Sequence, residues 1–185
     1  MAFKFKDKRE EFLVSELLVT SISSGLQTRN KNFPIYNKEN VPSEASKNLK
    51  NDLKEFLLLT MEQFPSCHEN DHFSNIIKLS NNISEKHCKI LHNGRFRIGI
   101  SQKVINLFLK YIWTTGKIGM PFHCPFDSII KVALLNGSSE RYELKDWTGL
   151  DSIEEYKKYV NLAKIIASVK GLSIADWELY SWSRR

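Results

Sequence analysis

An apolar segment near the middle of the chain places the strongest constraint on its fold. Residues 101–113, SQKVINLFLKYIW, have the spacing of a helix, and apolar side chains occupy one face and both of its flanks. After the first two positions, the only polar residues are Lys103, Asn106 and Lys110. A helix that is apolar on nearly all sides needs other elements around it, because its surface is costly to leave in water. The sequence therefore predicts a central helix in a larger packed structure.

Helical patterns account for most of the remaining chain. Apolar spacing and capping residues predict further helices over 7–19, 45–64, 72–79, 84–92, 128–135, 152–169 and 174–182. Serine, asparagine, glycine and proline break the pattern between 20 and 44, and two prolines hold 118–125 extended. No segment shows the apolar alternation of a strand. The predicted fold class is mostly α, with little or no sheet.

The chain length of 185 residues is enough to bury one core. We predict a single helical domain over residues 1–185. Within it, two subdomains are expected to flank a cleft: one of about 1–93 together with the C-terminal helices, and one of about 94–150. Aromatic residues of the C-terminal part, including Trp147, either pack between helical layers or close the second wall of that cleft.

Composition and charge narrow the environment in which the chain acts. No run of 18 apolar residues could span a bilayer, and the N-terminus lacks the continuous apolar region of a secretory signal. Three cysteines cannot all pair within one chain, which indicates free thiols in a reducing compartment. We therefore predict a cytoplasmic protein without a membrane partner. The formal net charge of +6 favours a polyanionic partner, because lysine and arginine release counterions when they bind phosphates.

Three features beside the apolar helix form a candidate site. Gly99-Ile100-Ser101 predicts a turn directly before the helix, Lys103 lies in the first helical turn, and Asp127 lies where it can cap the next helix. Backbone N–H groups at a helix N-terminus bind phosphate through their donors and the positive end of the helix dipole. Burial and the same dipole lower the pKa of an amine such as that of Lys103. A carboxylate such as Asp127 can stabilise a sugar cation or position the amine.

The same residues resemble a known family. Gly99-Ile100-Ser101-Gln102-Lys103-Val104 is similar to the hairpin and second helix of the helix-hairpin-helix DNA glycosylases, and Pro125-Phe126-Asp127-Ser128 is similar to the Pro-x-Asp-Ser/Thr element that follows in that superfamily. The resemblance covers about 40 residues. It implies a glycosylase-like helical fold. It also implies that Lys103 stands at the position of the Schiff-base lysine of bifunctional members, such as the 8-oxoguanine glycosylases, and that Asp127 stands at the catalytic aspartate.

The function that the resemblance implies is excision of a damaged or modified base that has been flipped out of double-stranded DNA. Lys103 and Asp127 would be catalytic, with or without AP-lyase activity. The remaining predicted residues share a role in DNA binding, either as part of the hairpin or as phosphate contacts: Arg95, Arg97, Gly99, Ser101 and Lys110.

A second interpretation stays open at this point. Lys103 is also compatible with a solvated lysine at a helix start, and Asp127 with an ordinary N-cap. The chain would then be a non-catalytic helical module that binds DNA or another protein through its basic surface. The oligomeric state is open in both interpretations.

Cysteine and histidine occur as three adjacent pairs, Cys67-His68, His87-Cys88 and His123-Cys124, and Cys88 is also spaced i, i+4 from His92. None has the Cys-x-x-Cys or His-x-x-x-His spacing that is typical of zinc sites. We interpret them as buried thiols and hydrogen-bonded histidines and predict no metal. The sequence also lacks a Walker-type loop and a nucleophile elbow, and no cofactor is predicted.

Overall fold

The structure is a computed structural model that describes residues 4–37 and 41–182. Over these residues the chain forms seven α-helices and no β-strand, which confirms the mostly α prediction. The helices are α1 (Lys8–Leu26), α2 (Ser43–Gln63), α3 (Glu69–His87), α4 (Ile98–Thr114), α5 (Ser128–Gly137), α6 (Ile153–Val169) and α7 (Ile174–Ser181). Short 3₁₀ turns occur at Phe64–Ser66, His92–Gly94 and Trp147–Gly149. No helix in the described parts is both long enough and apolar enough to cross a membrane.

The predicted central helix is α4. It packs against α1, α2, α3 and α6. Five of its apolar side chains are completely buried: Val104, Ile105, Phe108, Leu109 and Ile112. Its closest neighbour is α1, where a Cβ at Gly25 would overlap the Val104 side chain. A glycine at this crossing lets the two helix backbones approach, so the apolar surface of α4 is covered as the sequence requires.

Helix α1 extends well beyond its predicted end. It continues to Leu26, whereas the sequence pattern suggested a break after residue 19. Its polar residue Ser21 is fully buried and donates its hydroxyl to the Leu17 carbonyl at 2.7 Å, so the small polar side chain continues the helix. Ile22 on the same turn is part of the core. A serine-rich segment was therefore wrongly assigned to a loop.

The region predicted as two short helices is one helix, α3. Ser84 is internal to it and caps nothing, because its hydroxyl donates to the Ser80 carbonyl and accepts the Phe96 N–H at 2.8 Å. Ser80 in turn donates to the Phe96 carbonyl. These bonds attach α3 to the chain segment that precedes α4, and they are tertiary contacts that a local sequence pattern does not contain.

Helices α5, α6 and α7 begin where their capping residues predicted. Asp127 accepts the Ile129 and Ile130 N–H groups at 2.9 and 3.1 Å. Ser152 and Ser173 cap the next two helices in the same way. Because a cap bonds to groups two or three residues away, its effect is readable from the sequence. The cap of α5 has a further consequence, since it fixes the position of the Asp127 carboxylate.

Candidate functional site

A cleft of about 460 Å³ lies where the end of α1, the loop after it, the first turns of α4 and α5, and the 3₁₀ turn at Trp147–Gly149 meet. This volume is within the range of small-molecule sites. Most of the residues that line it are polar: Ser24, Gln27, Arg29, Asn30, Lys103, Asp127, Ser128, Ile129, Asp146, Trp147 and Thr148. Lys103 and Asp127, the two residues predicted as catalytic, therefore face the same open space.

Lys103 is half-buried in the wall of the cleft. Its Nζ lies over the Trp147 ring, 4.1 Å from the ring centroid. Burial lowers the pKa of this amine, and the negative charge of Asp127 opposes the shift. Lys103 forms no ion pair with any carboxylate in residues 4–37 and 41–182. The amine is thus held in place by the indole and stays available to a ligand.

Only one oxygen of Asp127 is used by the helix cap. Its Oδ1 accepts both cap bonds, and Oδ2 has no hydrogen-bond partner in the part of the chain that the structure describes. Beside it, Trp147 Nε1 donates to Ser128 Oγ at 3.3 Å, which fixes the indole against the start of α5. The cap and the indole contact together orient a carboxylate and an amine toward one cleft.

Two amide side chains of α4 hold the Lys103 and Asp127 backbones in register. Gln102 Nε2 donates to the Phe126 carbonyl at 2.7 Å, and the Phe126 N–H donates back to Gln102 Oε1 at 3.1 Å. One turn later, Asn106 Nδ2 donates to the Cys124 carbonyl at 2.9 Å. Gln102 precedes Lys103 and Phe126 precedes Asp127, so this reciprocal pair sets the separation of the two cleft residues.

A buried polar network continues from Asn106 away from the cleft. Asn106 Oδ1 accepts from His72 Nε2 at 2.8 Å, and its amide donates to the Tyr156 hydroxyl at 3.0 Å. Tyr156 bonds His123 Nδ1 at 2.9 Å, and His123 Nε2 reaches Glu69 at 3.0 Å near the surface. The bond from His123 holds the pKa of Glu69 at about 2. Burial lowers the pKa of His123, and the Glu69 carboxylate opposes that shift.

The network makes the fold sensitive to acid through His72. Burial, with a smaller contribution from the nearby His123 ring, lowers the pKa of His72 from 6.5 to about 3. Below pH 6.5 the unfolded chain therefore binds a proton that the folded chain does not, and the free energy of unfolding falls until the pH reaches about 3. The slope for one such group is about 1.4 kcal/mol per pH unit. We expect urea titrations between pH 7 and 5 to show a shallower pH dependence in His72→Gln, and equal slopes would contradict the assignment.

The predicted hairpin at 99–101 is wrong. These residues belong to α4, which begins at Ile98. The Ile98 N–H donates to Asp151 Oδ1 at 3.1 Å and the Gly99 N–H donates to the Leu150 carbonyl at 2.8 Å, so both first-turn donors bond to the protein itself. Ser101 is fully buried and donates to the Arg97 carbonyl. The segment around Leu150 therefore covers the N-terminus of α4, and the Gly99 N–H and the Ser101 hydroxyl both bond within the protein.

The predicted phosphate contacts are also engaged inside the protein. Arg97 is buried, and its guanidinium donates to three carbonyls, those of Thr148, Phe33 and Pro34, at 2.6 to 2.9 Å. Lys110 is buried in an ion pair with Glu178. Arg95 is partly exposed, but its Nε bonds both carboxylate oxygens of Asp151 at 3.0 and 3.1 Å. None of the three lines the cleft, and each is paired within the protein, so the structure does not bring them together with Lys103 and Asp127.

The cysteine and histidine pairs do not converge. In residues 4–37 and 41–182, no group of three or more histidine, cysteine and acidic side chains is arranged to hold a metal ion. Cys124 is buried, Cys67 is half-buried and Cys88 is exposed. His87 and His123 each bond a carboxylate, those of Asp52 and Glu69. The expected hydrogen bonds are present for His87 and His123, and of the three thiols that of Cys124 is fully buried.

Sequence reasoning missed several residues of the cleft. Arg29 and Asn30 lie in the segment that was predicted only as a loop, and Thr148 lies in a connection between helices. A single arginine in a loop has no spacing or capping pattern that could mark it. Trp147 was among the aromatic residues expected near a cleft wall, and it does line the cleft.

Comparisons with protein-family models, with curated proteins and with solved structures found no match for this chain.

Proposed function

We propose that this protein is a DNA base-excision enzyme in which Lys103 attacks the sugar of a flipped nucleotide and Asp127 assists the departure of the base. One observation carries the proposal: Lys103 and Asp127, which are far apart in sequence, line one open cleft. The resemblance around these two residues remains in support. The hairpin is not part of it, because the structure places 99–101 inside α4.

The state of Lys103 suits nucleophilic attack. Its pKa is lowered by burial, which raises the fraction of neutral amine at a given pH. The Nζ lone pair would form a bond to C1′ as the bond from C1′ to the base breaks, and the base would leave with that electron pair and be protonated. Nζ then loses a proton, which the Asp127 carboxylate in the cleft wall can accept. Opening of the sugar ring gives a Schiff base that water can hydrolyse.

Asp127 suits the assisting role because its position does not depend on its charge. The helix cap uses Oδ1, and Oδ2 accepts no hydrogen bond from the described residues. Positive charge develops on the sugar as the base leaves, and a fixed carboxylate stabilises that charge. The cleft volume of about 460 Å³ is of the size expected for one extruded nucleoside. Flipping the nucleotide out of the duplex costs a few kcal/mol, which contacts between the protein and the strand must offset.

Borohydride trapping tests the proposal directly. Duplex oligonucleotides that carry an oxidised or a deaminated base, or an abasic site, are incubated with the protein and sodium borohydride, which reduces a Schiff base to a stable amine. We expect a covalent adduct with the wild-type protein and none with Lys103→Gln. Asp127→Asn retains a capping side chain, so α5 should persist while base release falls about 10²-fold or more.

Lys131 provides the matched control for Lys103. It lies on α5 beside the cleft but does not line it, and its Nζ pairs with Asp146 at 2.7 Å. Lys131→Gln should trap as the wild-type protein does. The proposal is overturned if no substrate gives an adduct or base release, or if the adduct persists in Lys103→Gln. Salt-dependent DNA binding that survives Lys103→Gln and Asp127→Asn, without any chemistry, would identify the non-catalytic module instead.

A further inference from the structure

We infer that a groove next to the cleft binds the nucleic-acid strand that flanks the flipped nucleotide, and that Arg29 is its phosphate ligand. The groove has a volume of about 570 Å³ and is lined by the end of α1 and two stretches of the loop that follows it: Leu26, Gln27, Thr28, Arg29, Pro34, Ile35, Tyr36 and Asn37. Gln27 and Arg29 also line the cleft. The two spaces therefore meet at Arg29, and a ligand longer than one nucleoside can occupy both.

The guanidinium of Arg29 is available to a ligand. The side chain is exposed and makes no hydrogen bond or ion pair with any residue in the described ranges. By contrast, Arg95 donates to the Asp151 carboxylate, and Arg97 donates to backbone carbonyls. A guanidinium with open donors binds a phosphate through two parallel hydrogen bonds. Arg29 stands at the junction where the phosphate next to the flipped nucleotide would lie.

The groove has the charge and surface that a nucleic-acid strand requires. Its described lining contains one cation, Arg29, and no carboxylate that would repel a phosphate. The lining also includes the half-buried rings of Pro34 and Tyr36 and the buried side chain of Ile35. Nucleic-acid bases stack on aromatic rings such as that of Tyr36 with little regard to sequence. Arg29 can bind the phosphate of one nucleotide while the neighbouring ring contacts its base.

The loop that forms the groove is held in shape before any ligand binds. Arg97 Nη2 donates to the carbonyls of Phe33 and Pro34, each at 2.9 Å. Farther along, the His92 N–H donates to the Ile35 carbonyl at 2.9 Å, and the Asn37 N–H donates to the Ile90 carbonyl at 3.0 Å. A site that is already ordered loses less conformational entropy on binding. Arg97, which was predicted to contact DNA, thus acts one step away by fixing the loop.

This inference relies on the proposed function for the nature of the ligand, and oligonucleotide binding tests it separately. Binding of 5′-phosphorylated thymidine oligomers of one, two and four nucleotides is measured by competition against a labelled strand. We expect the wild-type affinity to rise with length and Arg29→Ala to lose about 3- to 10-fold on the longer oligomers. The slope of log K against log salt should fall by about 0.7, the value for one phosphate contact on a single strand.

Lys31 is the matched control, because it is exposed on the same loop and lines neither the groove nor the cleft. Lys31→Ala removes the same charge and should leave the length dependence intact. Equal losses in both variants, or affinity that does not rise with length, would overturn the groove assignment. If Lys103 is trapped on DNA but Arg29→Ala does not change oligonucleotide binding, the groove assignment is overturned and the proposed enzymatic function is supported. If Arg29 contributes to strand binding but no adduct is trapped, the enzymatic function is overturned and the groove assignment is supported.

Discussion

Replacing Gly99 by alanine is expected to lower the free energy of unfolding by about 3 kcal/mol or more, which is a large part of the stability of a typical domain. A Cβ at this position would overlap the Trp147 carbonyl oxygen and lie 2.8 Å from its carbon. Both atoms belong to backbone, and the Gly99 N–H bond to Leu150 holds this segment against α4. The overlap can be relieved only if the segment moves away, which breaks the bond and uncovers core residues.

Urea unfolding followed by circular dichroism measures the effect, and Gly119→Ala is the control. No atom lies within 4 Å of a Cβ built at Gly119, and its backbone is not in the left-handed region, so its stability should change by less than about 1 kcal/mol. A hairpin glycine that touches DNA would behave differently: Gly99→Ala would then weaken DNA binding and leave the unfolding midpoint unchanged. That result would contradict the position of Gly99 inside α4.

Breaking the buried ion pair between Lys110 and Glu178 is the second large effect. Lys110→Met should cost about 3 to 5 kcal/mol, because the Glu178 carboxylate is 1% exposed and would lose its charge partner. Burial already raises the pKa of Glu178, and the Lys110 ammonium opposes that shift. The single variant removes this opposition, so its stability should also decrease as the pH rises through the pKa of the carboxyl group. Chemical denaturation at pH 5 and pH 8 measures both changes.

The double variant separates the loss of a contact from the cost of an unpaired charge. Lys110→Met combined with Glu178→Leu should recover most of the stability, because an apolar pair fills the same buried space without a charge. Lys8→Met is the control, since its pair with Glu11 is exposed to solvent and should contribute under about 1 kcal/mol. Equal effects of Lys110→Met and Lys8→Met, or a double variant less stable than Lys110→Met, would show that the pair is not buried as described.

The helices show which parts of the fold can be predicted from local patterns. Starts that depend on a cap, such as those at Asp127, Ser152 and Ser173, were predicted because the bonds reach two or three residues along the chain. The end of α1 and the continuity of α3 were missed. In both, a serine that usually marks a loop is buried, and its hydroxyl bonds to a carbonyl, as Ser21 and Ser80 do. At such positions, burial and the hydrogen bond of the serine outweigh its low preference for the interior of a helix.

In the candidate site, too, some residues could be predicted from the sequence and others could not. Lys103 and Asp127 were identified from residue type and position, and both line the cleft. The predicted hairpin was wrong, and the predicted basic residues bond within the protein, for a common reason: a glycine or an arginine in a sequence does not show whether it contacts a ligand or the protein's own backbone. Gly99 permits the close approach of the Trp147 backbone, and Arg97 binds carbonyls of a loop more than sixty residues away. Neither partner can be recognised from the neighbouring sequence.

The sequence by itself determined that the chain is helical, that α4 is its centre, and that Asp127 begins the helix after it. These features follow from periodicity and from bonds between near neighbours, which act before distant segments meet. Only the tertiary structure decided which polar groups face solvent. It buried Arg97 and Lys110, left Arg29 exposed, and placed Lys103 and Asp127 in the lining of one cleft. The physical reason is that a buried donor must find a partner wherever the packed chain supplies one.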